Sequence, residues 1–249
     1  MTPEEIERYA RHIVLREIGG PGQNRLLSTK LLCIGAGGLG SPALLYLAAA
    51  GVGTLGVVDN DEVSLSNLQR QILHETSAIG EAKTTSAMRA IARVNPLVKV
   101  VPHALRLNEN NVGQIIAGYD LVLDGTDNFE TRYLVNAACV RAQTPLISAA
   151  MSQWEGQISV YDPANGGPCY QCVFPEAPAV GLAPNCAQAG VMGALAGVMG
   201  SMMAGEAIKL ITGAGQVLRG EILIYDSLFG ETRKLKISAR KDCPICGVL

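Results

Sequence analysis

The chain is poor in charge and shows no excess of either sign. Asp, Glu, Lys and Arg make up 17% of its 249 residues and leave a formal net charge of -2. There is therefore no basic field to hold DNA or RNA, and a stable nucleic-acid partner is excluded. No basic segment followed by an apolar run opens the sequence, so no signal peptide is expected and the chain is placed in the cytoplasm. It has no internal repeat and no low-complexity tract. One stretch, Ala187 to Gly205, is free of charge and long enough to span a bilayer. Its apolarity is diluted by Gly190, Gly193, Gly197, Gly200 and Gly205, and Glu206 and Lys209 follow at once. Such a small-residue surface suits close packing against another backbone, so a buried core or subunit-interface helix is expected, with no membrane partner.

What the chain has is apolar mass: 48% hydrophobic residues at this length can bury a large core in one domain, or in one domain plus an appendage. The pattern predicts an N-terminal helix from Pro3 to Leu15, capped by Thr2 with Glu5 three residues on and Pro3 in its first turn. Arg8 and Arg11 fall on its solvated face. A linker, Gly19-Gly20-Pro21-Gly22, leads to a second short helix. Strands then alternate with helices. The strands are Leu31 to Ile34, Leu55 to Val58, Lys99 to Pro102, Leu121 to Asp124 and Pro145 to Ala149. The helices are Ser41 to Ala50, Ala82 to Val94, Asn110 to Ala117 and Glu130 to Arg141. This alternation predicts an α/β fold with a mostly parallel sheet wrapped by helices. From Gln157 the pattern changes, and strands Gln157 to Tyr161, Glu221 to Asp226 and Thr232 to Lys236 are expected to extend the sheet in antiparallel fashion. The expected organisation is one domain over 1–249, with a helical arm at 1–30, a nucleotide-binding part at 31–150 and a C-terminal extension at 151–249.

Between the first strand and its helix lies Gly35-Ala36-Gly37-Gly38-Leu39-Gly40. Missing side chains there let backbone N–H groups and the N-terminus of the next helix approach a polyphosphate. Asp59 ends the next strand, where a carboxylate hydrogen-bonds a ribose hydroxyl. The unit thus reads as a Rossmann-like nucleoside-phosphate site at the carboxyl ends of parallel strands. On the glycines alone NAD is the default ligand, and an NAD(P)-dependent oxidoreductase is the alternative of a different class. Against NAD stands the run Asp59-Asn60-Asp61-Glu62-Val63-Ser64-Leu65-Ser66-Asn67-Leu68-Gln69-Arg70-Gln71, with Lys83 beyond it. Two fixed cations, Arg70 and Lys83, suit a reaction whose charge develops on phosphate. A further polar loop, Gly125-Thr126-Asp127-Asn128, follows the strand that ends at Asp124. Asp127 there could cap a helix or hold Mg²⁺ against phosphate oxygens. With Asp59, Arg70 and Lys83 it completes a nucleoside-triphosphate constellation.

Seven cysteines without a secretory signal point to metal or reactive thiols before disulfides. Four of them form the pairs Cys169-Tyr170-Gln171-Cys172 and Cys243-Pro244-Ile245-Cys246. Each pair brings two sulfurs to one side of a turn, and two such knuckles complete a closed, structural thiolate site for Zn²⁺. A redox dithiol is the alternative, disfavoured because neither pair opens a helix after a strand. Cys33 in a buried strand and Cys139 on an apolar helix read as inert core. Cys186 sits in a proline-broken loop, about residues 175–187, expected to be mobile; its thiol is either exposed there for chemistry or without a role.

The loop Gly35 to Gly40, the run Ser64 to Gln71, Thr126-Asp127-Asn128, both cysteine pairs and Arg8-Tyr9-Ala10-Arg11 together resemble the bacterial ubiquitin-activating-type enzymes that adenylate sulfur-carrier proteins. The likeness covers essentially the whole chain. The molybdopterin-synthase and thiamin-pathway branches share these motifs, and the molybdopterin branch is the nearer. The resemblance implies ATP-dependent adenylation of the C-terminal glycine of a small ubiquitin-like carrier with a diglycine tail, releasing pyrophosphate. The pathway implied is molybdenum cofactor biosynthesis, with the thiamin carrier or another sulfur carrier as the alternative. By resemblance, Asp59 holds the ribose, Gly38 and its neighbours admit the nucleotide, and Asn67, Arg70 and Lys83 contact the phosphates. Asp127 binds Mg²⁺, and Asp61 and Asn128 belong to the same nucleotide site. Arg11 reaches into the site of a second subunit, which implies a homodimer with shared active sites. No rhodanese domain of the kind some relatives append follows the second cysteine pair, so a separate sulfur donor is expected. Gly125 stands where some relatives carry a cysteine, and no role transfers from that thiol. Cys186 matches a loop cysteine that in some members joins the carrier covalently and in the molybdopterin branch is not needed for adenylation.

Overall fold

In a computed structural model the described residues are 1–178 and 189–247. The first helix begins as its sequence implies. Thr2 Oγ1 accepts the Glu5 N–H at 3.2 Å and the Glu5 carboxylate accepts the Thr2 N–H at 2.6 Å, a reciprocal cap. The helix expected to run to Leu15 is instead broken into α1 (Pro3–Arg8) and α2 (Ala10–Ile13) at Tyr9. Burial decides the break. Tyr9 is 3% exposed, its ring fills the space beside Gly51, and its hydroxyl accepts from Asn95 Nδ2 at 2.9 Å. The expected linker Gly19-Gly20-Pro21-Gly22 is the first turn of α3 (Gly19–Ser28). A proline there forfeits no hydrogen bond, because first-turn N–H groups have no partner within the helix. Gly22 is buried against Ile18 and Thr212, where a side chain would crowd both.

Five parallel strands follow: β1 (Lys30–Ile34), β2 (Thr54–Val58), β3 (Lys99–His103), β4 (Leu121–Asp124) and β5 (Leu146–Ser152). Three antiparallel ones continue the sheet: β6 (Glu155–Tyr161), β7 (Glu221–Asp226) and β8 (Glu231–Lys236). The described residues thus form one eight-stranded sheet in the order β3-β2-β1-β4-β5-β6-β7-β8, as the change of pattern near Gln157 predicts. Alternate residues of each inner strand face opposite cores. Leu31 and Cys33 pack on one side with α4 (Gly40–Ala50), α5 (Lys83–Val94) and α9 (Gly193–Thr212). Leu32 and Ile34 pack on the other with α6 (Val112–Ile116) and α7 (Phe129–Ala142). A sheet covered on both faces needs such uninterrupted apolar runs. The chain leaves β1 toward β2 and β3 on one side and returns to β4 on the other, so a crevice opens between the carboxyl ends of β1 and β4.

Of the charge-free stretch, Ala187 and Gln188 lie outside the described residues, and Gly193 to Gly205 form most of α9, which continues through Glu206 and Lys209. Among the described residues it is the one helix long and apolar enough to cross a membrane. It packs on α4, β5 and β6, with Leu195, Met199, Met203 and Ala207 fully buried. Its glycines serve close approach: a Cβ at Gly193 would strike the Gln69 carbonyl, and one at Gly200 the Leu39 carbonyl. The buried Glu206 accepts the Leu218 N–H at 2.9 Å and pairs with Lys209.

Two outcomes follow from this packing. A Cβ at Gly53 would collide with the Leu27 carbonyl, which no rotamer change relieves, whereas one at Gly113 in α6 meets open space. Urea unfolding should therefore show Gly53→Ala losing about 2 kcal/mol or more and Gly113→Ala unchanged or stabilised by up to about 1 kcal/mol. The second outcome concerns Cys33 and Cys139, which lie in the cores as expected. Burial pushes the Cys33 thiol up to about 12 and raises Cys139 as well, so neither offers a thiolate. Iodoacetamide should spare both in the native protein and label both after unfolding, read by peptide mass spectrometry.

Candidate active site

The crevice between β1 and β4 widens into a cavity of about 940 Å³. The Gly35–Gly40 loop forms its floor. Gly35 sits at φ +92°, a conformation that side chains rarely adopt, with the Gly125 carbonyl against it. Gly40 opens α4 so close to the Gly35 carbonyl that any side chain would collide with it. Gly37 and Gly38 line the cavity, and their N–H groups have no acceptor among the described residues. Unpaired donors beside a helix N-terminus make an anion site.

Asp59 stands at the edge of this loop. Its Oδ2 accepts the Ala36 N–H at 2.8 Å and its Oδ1 the Asp61 N–H at 2.9 Å. Burial raises its carboxyl above the usual range, against the opposing pull of Lys83 and the two N–H groups. Lys83, the first residue of α5, is 5% exposed and places Nζ 2.8 Å from Asp61 Oδ2. Arg70 packs its side chain against Gly38 and donates from Nη1 to the Ser66 carbonyl at 3.2 Å. Across the crevice, Asn128 caps α7, its Oδ1 accepting the Thr131 N–H at 2.9 Å. The capping role open to Asp127 thus falls to its neighbour, and Asp127 remains exposed on the cavity wall.

Gly38, Asp59, Asp61, Arg70, Lys83, Asp127 and Asn128, scattered over three segments of the sequence, therefore line one cavity. Asn67, expected at the phosphates, does not line it and uses its Oδ1 to accept the Ser64 N–H at 3.2 Å. Arg11, expected to reach the site of a second subunit, is exposed on α2. Two residues that shape the cavity escaped the sequence reading. Asp124 is fully buried and braces the polar loop, its Oδ1 accepting from Thr126 N at 3.0 Å and Oγ1 at 2.7 Å, its Oδ2 from Ser148 Oγ at 3.1 Å. A carboxylate closing an otherwise apolar strand was its signal. Arg132 lines the cavity at 8% exposure and donates from Nη2 to the Thr126 carbonyl at 2.5 Å. Its helical spacing to the buried Val135, Asn136 and Cys139 betrays the inward face.

The four paired cysteines meet away from this cavity. Their Sγ atoms all lie within 4.8 Å of one another, at 3.8 Å for Cys169–Cys172, 3.6 Å for Cys169–Cys243 and 3.3 Å for Cys172–Cys246. Thiolates on a zinc at about 2.3 Å have tetrahedral edges of about 3.8 Å, so the donor set fits a structural zinc. The first pair brackets the start of α8 (Tyr170–Val173), and the Arg240 N–H donates to Cys172 Sγ at 3.4 Å. None of the six described cysteines forms a disulfide. Cys186 lies outside the described residues, as does most of the loop expected around it.

The ThiF family matches residues 9–245. A sulfur carrier protein adenylyltransferase of Thermus thermophilus is 46% identical over 250 residues, which cover 99% of this chain and 92% of that protein. A probable adenylyltransferase/sulfurtransferase MoeZ of Mycobacterium tuberculosis is 48% identical over 245 residues, covering 97% of this chain and 62% of its own length. The crystal structure of E. coli MccB with MccA-N7isoASN superposes with a TM-score of 0.85 over 97% of this chain and 74% of that chain, at 23% identity, a likeness of fold. On the extent of the family match and these identities, the chain belongs to the ThiF family and is an adenylyltransferase.

Proposed function

We propose that the chain uses ATP to adenylate the C-terminal glycine of a small ubiquitin-like sulfur carrier with a diglycine tail, the carrier being the small subunit of molybdopterin synthase. The observation that carries this reading is the convergence of unpaired loop N–H groups, Asp59, Arg70, Lys83 and Asp127 on a single cavity. In the reaction a carboxylate oxygen of the carrier attacks the α-phosphorus. That oxygen–phosphorus bond forms, the bond from the α-phosphorus to the bridging oxygen breaks, and pyrophosphate leaves with the electron pair. No protein nucleophile is required, so positioning and charge neutralisation do most of the work. Asp59 receives the ribose, the Gly37 and Gly38 N–H groups and Arg70 face the phosphates, and Lys83 exchanges its Asp61 partner for phosphate oxygen. Asp127 would hold Mg²⁺, which supplies positive charge against the phosphates when bound. The name of the Thermus thermophilus relative supports the carrier class; the thiamin carrier or another sulfur carrier is the alternative to the molybdopterin one. Cys186 is not required for adenylation, because attack at phosphorus has no chemical need of a thiol.

A homodimer completes the site. Arg11 lies outside its own chain's cavity, and the same arm exposes the apolar Ile6, Val14 and Leu15 at 50%, 74% and 48%, side chains suited to contact with a second copy. Arg11 then enters the partner's cavity.

Asp127→Ala should abolish the carrier adenylate seen by intact-mass measurement while the urea midpoint stays at wild type, because an exposed loop carboxylate carries no core. Undiminished adenylate would discard the assignment. Arg11→Ala should be inactive too, and mixing it with Asp127→Ala chains should regenerate one intact site in each heterodimer. Absence of recovery in mixtures shown to exchange subunits would contradict the shared site. Metal analysis should find about one zinc per chain, held by Cys169, Cys172, Cys243 and Cys246, whose removal lowers thermal stability more than it changes chemistry. Freshly purified, reduced protein without zinc would defeat this.

A further inference from the structure

The wall beneath the glycine loop is built from one turn of chain. Gly38 faces Arg70, Gly37 faces Gln71, and the Ala36 carbonyl faces His74. His74 is 7% exposed, and both ring nitrogens are engaged: Nε2 lies 2.8 Å from the Ala36 carbonyl oxygen and Nδ1 lies 2.9 Å from Ser86 Oγ on α5. A carbonyl only accepts, so Nε2 carries the proton and Nδ1 accepts from the Ser86 hydroxyl. Burial lowers the imidazole below its usual range, with Lys83 acting in the same direction, which favours this neutral form. Ala36 is consequently held at both of its backbone polar groups, the carbonyl by His74 and the N–H by Asp59 Oδ2. Among the described residues no other donor reaches that carbonyl.

We propose that His74 is a positioning residue of the nucleotide site: by fixing Ala36 it fixes the rotamer of the Asp59 carboxylate, and thereby sets how strongly the site reads the ribose. The inference rests on the ATP reading given above. A histidine that merely filled core space would be replaceable by phenylalanine. This one links α5 through the loop to the carboxylate, and an aromatic ring without nitrogen would leave the Ala36 carbonyl unpaired and free to turn.

The test is calorimetric titration of the full chain with Mg²⁺ and ATP, 2′-deoxy-ATP or 3′-deoxy-ATP, which needs no carrier. Wild type should bind one deoxy analogue about tenfold more weakly than ATP, the worth of one hydrogen bond to a charged acceptor. His74→Phe should weaken ATP and shrink that ratio to about threefold or less, because a misplaced carboxylate cannot reward the hydroxyl. His74→Gln, whose amide can still donate to Ala36, should restore most of the ratio. Ser86→Ala should move it in the same direction as His74→Phe by less, and keeps the test open should the phenylalanine variant not fold. A wild-type penalty that His74→Phe and Ser86→Ala both leave intact would overturn the role of His74 and spare the ATP reading. Wild type that binds ATP without any deoxy penalty would overturn it as well, and wild type that binds no ATP would remove both.

Discussion

Three stretches of backbone meet at the end of β1 with no side chains between them. Gly40 can carry none because the Gly35 carbonyl occupies the space, and Gly125 lies against Leu39 and the Gly40 nitrogen. This contact brings the end of β4 under the first turn of α4. The loop turns too tightly for the Gly37 and Gly38 N–H groups to find acceptors within it. Donors left unpaired on a cavity wall beside a helix N-terminus are placed to receive phosphate oxygens. Everything else in the cavity is arranged around those donors: Asp59 at the loop's edge, Arg70 against Gly38, and Asp127 across the crevice.

The C-terminal half of the chain supports this geometry from behind. One core runs from Leu26 to Leu218 and joins α9 to β1, β4 and α4. Through Gly193 and Gly200, α9 lies directly on the backbone at Gln69 and Leu39, the two ends of the phosphate-facing surface. The cysteine cluster fastens the C-terminal turn to α8, and α8 adjoins the cavity through Tyr170. The cluster thus adjoins the wall of the cavity through α8, away from the residues that face the phosphates.

Much of this was legible in the sequence because it rests on local rules. Apolar runs and glycines gave the strands β1 and β4 and the loop between β1 and α4, and the C-x-x-C spacing gave the cysteine cluster. Where the reading failed, a distant contact overrode a local preference. Tyr9 breaks its helix to fill the space beside Gly51, and Gly22 joins a helix because Thr212 lies against it. His74 had no motif to mark it, because its partner is the Ala36 carbonyl, far away in the chain. Arg132 was marked only by its helical spacing to Val135, Asn136 and Cys139 on the buried face of α7.

The central claim is that this cavity joins a carboxylate to the α-phosphorus of ATP. Its most direct measurement is the exchange of labelled pyrophosphate into ATP in the presence of a panel of carriers ending in diglycine. Exchange that requires both the chain and a carrier with an intact diglycine tail, and is greatest with the small subunit of molybdopterin synthase, is the result expected. No exchange with any carrier, together with tight binding of NAD(P), would contradict the account.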